Sequence, residues 1–272
     1  MLLGIRLGRR MFEKDSTARR WSRLWSHVID MAPAGNGSFP TVLMFHGCGG
    51  VRSHILTYAE TAVRAGWRVL IIDSYSPRGW SRRWAQVFVC TGLMFRGKSR
   101  AGDVAAAIWG ASQLKGVDSR RIVLTGWSHG SWALMDLMTA RLDGGSRLNL
   151  SDSIAWPVDE VRGLFLAYPY VGLVARSWRK PWLRTPRVFG VIPTKDHFSG
   201  VQGYMRAFAA PIRAGCDVEL WGVEATHAFD EPGIKARLPI RFDEAASVAA
   251  LSRFEAFLGR IGALPDPSEG LT

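Results

Sequence analysis

The pentapeptide Gly126-Trp127-Ser128-His129-Gly130 has the form G-x-S-x-G and stands between the apolar run RIVLT (121–125) and a helical pattern. A serine at that position sits on a tight strand-to-helix turn, and the flanking glycines leave room where strand and helix approach. The turn lifts the hydroxyl to the C-terminal edge of a sheet and aims the first N–H groups of the helix at the reacting centre. Such a serine is a weak nucleophile until a base takes its proton and an acid orients that base. Downstream of His129 the histidines are His197 and His227. His227 follows the last apolar run in VEATHAFD (223–230), and Asp196 follows RVFGVI in PTKDHF (193–198). Both places are loops leaving the C-terminal ends of strands, where ligands gather on an open α/β sheet, and the order serine, acid, histidine is the one such a turn uses. The pattern predicts Ser128 as nucleophile, His227 as base and Asp196 as orienting acid. Taken singly, His227 reads equally well as a surface histidine and Asp196 as a helix N-cap; their joint placement favours the triad. Asp217, Glu224 and Asp230 are rivals for the acid, Asp217 at the wrong edge of the sheet, and His197 is the rival base.

A second stretch, His46-Gly47-Cys48-Gly49-Gly50, follows the run TVLMF (41–45). Glycines let backbone N–H groups come close to a substrate. Acyl transfer builds negative charge on the former carbonyl oxygen, and each donor aimed at it is worth about 3–4 kcal/mol. The N–H groups of His129 and Cys48 are the expected donors, with Gly49 the alternative to Cys48. Arg78, in SPRG (76–79), could fork onto a substrate carboxylate or pair with a local acid. Trp80, Trp84 and Trp127 could line an acyl pocket or pack the core and its rim.

These residues need a scaffold that brings loop ends together. The runs at 41–45, 68–72, 121–125, 163–168, 187–192 and 217–223 are short and almost wholly apolar, as strands covered on both faces are. Helical patterns lie between them at 54–65, 101–114, 131–142, 201–214 and 242–258, several of them stopping before glycine. The alternation predicts a three-layer α/β/α sandwich around a mostly parallel sheet. Residues 1–40 read as an N-terminal edge segment, with one or two short strands or a helix, and a turn-rich linker at 31–40. Residues 41–261 form the domain, with a polar insert at 144–160, and 262–272 a tail.

Composition narrows the class. Of 272 residues, 47% are hydrophobic and 21% charged, which suits one soluble domain with a sizeable core. Cys48, Cys90 and Cys216 show neither a disulfide framework nor metal-ligand spacing, so free thiols and no metal or cofactor are expected. No run is long enough to span a bilayer, and the N-terminal stretch lacks the order of a secretory signal, which together predict a cytoplasmic protein without stable membrane insertion. The net charge of +12 invites polyanions, yet no nucleic-acid motif accompanies it, and a solvated basic surface is the plainer reading.

HGCGG (46–50), DSYSPRG (73–79), GWSHGSW (126–132), TKD (194–196) and THAFD (226–230), spread over residues 40–260, resemble the dienelactone hydrolase-like branch of the α/β-hydrolases. The resemblance implies the α/β-hydrolase fold without a large lid, and hydrolysis of a small-molecule ester or lactone through an acyl-enzyme without a cofactor. Dienelactone hydrolases proper carry a cysteine where this chain has Ser128, which moves the expectation from dienelactone towards a general serine esterase. Two other readings are a prolyl-oligopeptidase-like peptidase and a non-catalytic basic binding protein on the same fold.

Overall fold

The computed structural model describes residues 14–89, 94–142, 148–153, 155–172, 174–175, 177–233 and 239–263. In chain order the elements are α1 (Thr17–Trp25), β1 (Ile29–Met31), β2 (Phe39–Phe45), α2 (Ser53–Arg64), β3 (Arg68–Ile72), α3 (Arg82–Phe88), α4 (Gly97–Ser112), β4 (Val117–Trp127), α5 (His129–Met138), α6 (Ala155–Val158), β5 (Val161–Ala167), β6 (Arg187–Pro193), α7 (Gly200–Arg213), β7 (Val218–Val223) and α8 (Glu244–Gly262). The seven strands lie in the order β1-β3-β2-β4-β5-β6-β7, all neighbours parallel except β1, which runs antiparallel to β3. All six anticipated strands are present. The N-terminal segment contributes both a helix and an edge strand, with Arg68 forking onto Asp30 to pin β1 against β3. The expected 31–40 linker shrinks to the stretch between Met31 and Phe39. The tail beyond Ala263 lies outside the described residues.

The five inner strands, β2 to β6, are buried on both faces because they are apolar at successive positions and not only at alternate ones, while the edge strands β1 and β7 stay partly exposed. Residues 122–127 of β4 are all buried, and the register places β4 centrally, between β2 and β5. Every residue of α5 is buried as well. The turn joining β4 to α5 is therefore held from both ends by packed elements.

α5 is shorter than its pattern suggests, ending at Met138 and not Leu142. The carbonyls at its end are taken from outside the helix: Leu183 N–H donates to Met138 O, and the Arg184 guanidinium donates to Leu137 O and Ala140 O. Partners more than forty residues away thus satisfy groups that a further helical turn would otherwise have used. The helix α3 has no counterpart among the helical patterns of the sequence. It starts at Ser81, whose Oγ accepts from Trp84 N–H at 3.3 Å.

One buried acid on α5 ties stability to pH. Burial pushes the Asp136 carboxyl up to about 7, against the pull of the Lys98 and Lys180 cations. A carboxyl whose folded value is raised favours the folded state while protonated, and that contribution is lost as pH climbs from the unfolded value of 3.8 through the folded one. The wild type should lose stability across this window with a slope approaching ~1.4 kcal/mol per pH unit. Asp136→Asn should flatten it. Urea denaturation at stepped pH measures both slopes, and equal slopes would remove Asp136 as the cause.

Candidate active site

Ser128 sits at φ 48°, ψ −109°, a conformation that L residues seldom adopt. The glycines of its motif are sterically required. A Cβ on Gly130 would stand 2.0 Å from Phe45 O, and one on Gly126 would stand 2.6 Å from Ser131 N. Further strained residues ring the same place: Tyr168 (φ 35°), Ala228 (φ 54°) and Phe95 (φ 51°) each neighbour a side chain of the site. Strain of this kind persists only where surrounding packing enforces it, and it concentrates at functional sites.

The turn after β4, the loop after β6 and the loop after β7 converge. His227 Nε2 lies 2.8 Å from Ser128 Oγ, and His227 Nδ1 lies 2.6 Å from Asp196 Oδ2. Asp196 also accepts from Phe198 N–H (2.7 Å) and Ser199 N–H (3.3 Å) at Oδ1 and from the Tyr204 hydroxyl at Oδ2. These donors, His227 foremost, outweigh burial and hold the carboxyl below its ordinary range. Tyr168 and Phe198 set their rings edge-on to the imidazole, at 4.9 and 5.1 Å between centroids. Ser128 and His227 each keep 8% of their surface exposed, whereas the Asp196 side chain is sealed from solvent.

The rival residues lie elsewhere. His197 is exposed. Asp217 pairs with Arg187 and Glu224 with Lys195. Asp230 is buried and accepts from Tyr168 Oη and Trp127 Nε1. That last bond places Trp127 in the core, 1% exposed, with its ring against Tyr58 and His54 of α2, so it does not line a substrate pocket. The tryptophan closes a buried strand, and its side chain falls on the face that α2 covers.

The glycine loop after β2 lies against the serine turn. A Cβ on Gly47 would meet Ser128 Cβ at 3.6 Å, whereas one on Gly49 would meet the carboxylate of Glu231. His46 is wholly buried and fixes this loop: its Nδ1–H donates to Gly47 O (2.7 Å), and Nε2 accepts from Ser74 N–H (3.2 Å). Burial, helped by the Arg100 cation, pushes His46 below its ordinary range, which keeps it neutral. His129 is held neutral in the same way, its Nδ1 accepting from Arg100 at 3.0 Å and its Nε2–H donating to Phe95 O at 2.8 Å. At the first position of α5, the His129 backbone N–H has no intrahelical acceptor. Sequence reasoning missed Arg100, Tyr204 and Phe198. Tyr204 lies on the first turns of α7 and Asp196 in the loop before that helix, so nothing in the sequence marks the tyrosine as polar machinery.

Cys48 and Arg78 depart from the expectations for them. Cys48 is disulfide-bonded, while Cys216 is a free thiol. The three cysteines are too far apart in sequence for spacing to reveal a bond that only the folded loops create. The expectation of a free thiol therefore does not hold for Cys48. Arg78 does not reach into the site. Its fork spans Asp103 (2.9 and 2.8 Å), with Ser74 O as a third acceptor, and Asp103 also takes Arg20 at 2.8 Å. Asp103 is fully buried, and opposite charge is what makes its burial tolerable. Asp103→Asn should cost about 3–5 kcal/mol, since Arg78 would lose its counter-charge and Arg20 would keep only Asp15, at 2.9 Å. Urea denaturation reads it, and a loss within experimental error would mean that the pair is not needed for folding.

No protein-family model matches the chain, and no curated protein matches its sequence. Solved structures do. A dienelactone hydrolase-like promiscuous phosphotriesterase from metagenomic libraries superposes with a TM-score of 0.64 at 12% identity, covering 86% of this chain and 98% of the other. Esterase 2 of Thermogutta terrifontis, phosphoramylated by tabun, gives 0.62 at 18% identity over 87% and 90% of the two chains. The same organism's thermophilic esterase with propionate bound gives 0.61 at 18%, again over 87% and 90%. The fold is that of the α/β-hydrolases. Its C-terminal sheet edge is where the serine turn, the histidine loop and the aspartate loop meet, and the described residues contain no domain placed over them as a lid.

Proposed function

We propose that the chain is a serine hydrolase acting on carboxylic esters or lactones. The observation that carries this reading is the hydrogen-bonded series Ser128–His227–Asp196, built on a strained turn. Ser128 Oγ attacks the ester carbonyl carbon while His227 Nε2 takes its proton. Asp196 holds the imidazole with Nδ1–H towards itself and offsets the charge that develops on the ring. The oxyanion receives the His129 N–H and a donor from the glycine loop, Cys48 being the nearest in sequence to Gly47. Collapse expels the alkoxide, protonated by His227, and leaves an acyl-Ser128. Water, deprotonated by the same histidine, then releases the acid. Substrate is a small molecule, and no step calls for a metal or cofactor.

The esterases among the fold neighbours support the reaction class, and the organophosphorus adduct on one of them suggests the probe. A fluorophosphonate should label Ser128 covalently, located by peptide mass spectrometry, and a panel of esters, lactones and peptide amides should show turnover of the first two. Labelling at another residue, or turnover of the amides alone, would overturn the assignment.

A further inference from the structure

Phe198, whose ring meets that of His227, is 43% exposed, and the apolar surface does not stop there. On α7 the side chains of Val201, Met205 and Ile212 are 39%, 49% and 54% exposed. At 100° per residue these three fall within one narrow stripe, roughly 16 Å long. The stripe borders the buried face formed by Tyr204, Ala207, Phe208 and Pro211, so the helix carries more apolar surface than its core contact uses. On its other flank stand Arg206 and Arg213, both exposed. Neither meets a carboxylate within ion-pair distance among the described residues. The short 3₁₀ helix Ser177–Arg179 packs beside α7, and there Arg179 stacks on the half-buried Trp178 at 4.5 Å.

The charge of this region is lopsided. Residues 161–216 hold nine arginines and lysines and one carboxylate, Asp196, which is turned inward onto His227; Arg184, Arg187 and Lys195 are paired with Asp159, Asp217 and Glu224 from outside the stretch, whereas Arg179, Arg206 and Arg213 have no carboxylate at ion-pair distance among the described residues. We infer that the exposed face of α7, with Trp178 and Arg179 beside it, seats the protein on an anionic lipid surface, with the mouth of the Ser128 site at the rim of the contact. An apolar stripe flanked by arginines, with a tryptophan at the boundary, is the arrangement that lies in a lipid interface. A second copy of the chain fits poorly, because a two-fold contact would bring Arg206 and Arg213 up against their own counterparts. A nucleic acid would satisfy the arginines and leave Val201, Met205 and Ile212 uncovered. The docking is peripheral, since no described helix is long and apolar enough to cross a membrane. It rests on the proposed hydrolase reading only for its consequence, that esters carried in the lipid reach Ser128 from the surface.

The test is co-sedimentation with vesicles of phosphatidylcholine alone and of phosphatidylcholine mixed with phosphatidylglycerol. The full chain should bind the anionic vesicles and release as salt rises. The double variant Met205→Glu/Ile212→Glu should bind at least about tenfold more weakly, with unchanged turnover of a water-soluble ester, which also shows that it is folded. Ser128→Ala should bind as the wild type does, so that a failure of the hydrolase reading shows in turnover and leaves the vesicle result intact. No preference for anionic vesicles, binding indifferent to the two glutamates, or a glutamate effect confined to self-association would each overturn the inference.

Discussion

Ser128→Ala should lower kcat by about 10⁶-fold while leaving KM little changed, the size of loss seen when the nucleophile of a serine triad is removed. The alanine variant would keep the turn, because the strain at φ 48° belongs to the backbone and the glycines around it stay in place. The glycine loop and the His129 N–H would remain, and with them the residual acceleration that binding and oxyanion donors supply. The diagnostic feature is non-additivity. In the proposed mechanism Ser128 Oγ and His227 Nε2, 2.8 Å apart, share one proton transfer, so Ser128→Ala/His227→Ala should be no slower than Ser128→Ala alone. Steady-state kinetics on p-nitrophenyl acetate for the two single variants and the double variant decide the matter. Multiplying losses would mean that the two residues act in separate steps, and unchanged turnover in Ser128→Ala would end the serine mechanism.

The parts of this site that could be read from sequence are those whose chemistry imposes a spacing. A serine on a strand-to-helix turn needs small neighbours on both sides, and Gly126 and Gly130 prove unable to carry even a methyl group. The strands were legible because a sheet covered on both faces leaves no alternation to obscure them. What escaped was decided by contacts between distant segments. Arg78 was left poised between a ligand and a local acid, and the choice fell to Asp103, twenty-five residues away on α4. Trp127 is the x of the motif, a position free to take any side chain, and only the placing of Tyr58 and Asp230 sends it into the core. Tyr204 looks like ordinary helix packing until the loop at Asp196 is folded back over it. α3 hid for a different reason. Its start, Ser81, is a good cap, but the tryptophans and arginines around it give no clean apolar period to follow.

Asp196→Asn separates the role of that residue from simple packing, and should lower kcat by about 10⁴-fold. In the wild type, Oδ1 accepts two backbone N–H groups, of Phe198 and Ser199. An asparagine must keep its carbonyl oxygen there to satisfy them, which turns its NH₂ towards His227 Nδ1 and the Tyr204 hydroxyl. Two donors would then face each other at 2.6 Å unless the imidazole moves its proton to Nε2. In that tautomer Nε2–H points at Ser128 Oγ and cannot accept its proton, so the nucleophile is present and the base is not. The effect should fall on kcat far more than on KM, because binding of the intact ester does not need the proton moved. Stability should respond in a linked direction. The Asp196 carboxyl is held below its ordinary range in the folded state, so it contributes stability above its unfolded value and loses it as pH falls through the folded one. The gap in urea midpoint between wild type and Asp196→Asn should accordingly be widest near neutrality and close in acid. An asparagine variant with near-normal kcat would show that His227 finds its working tautomer without Asp196, and the acid would then have to be sought at another residue.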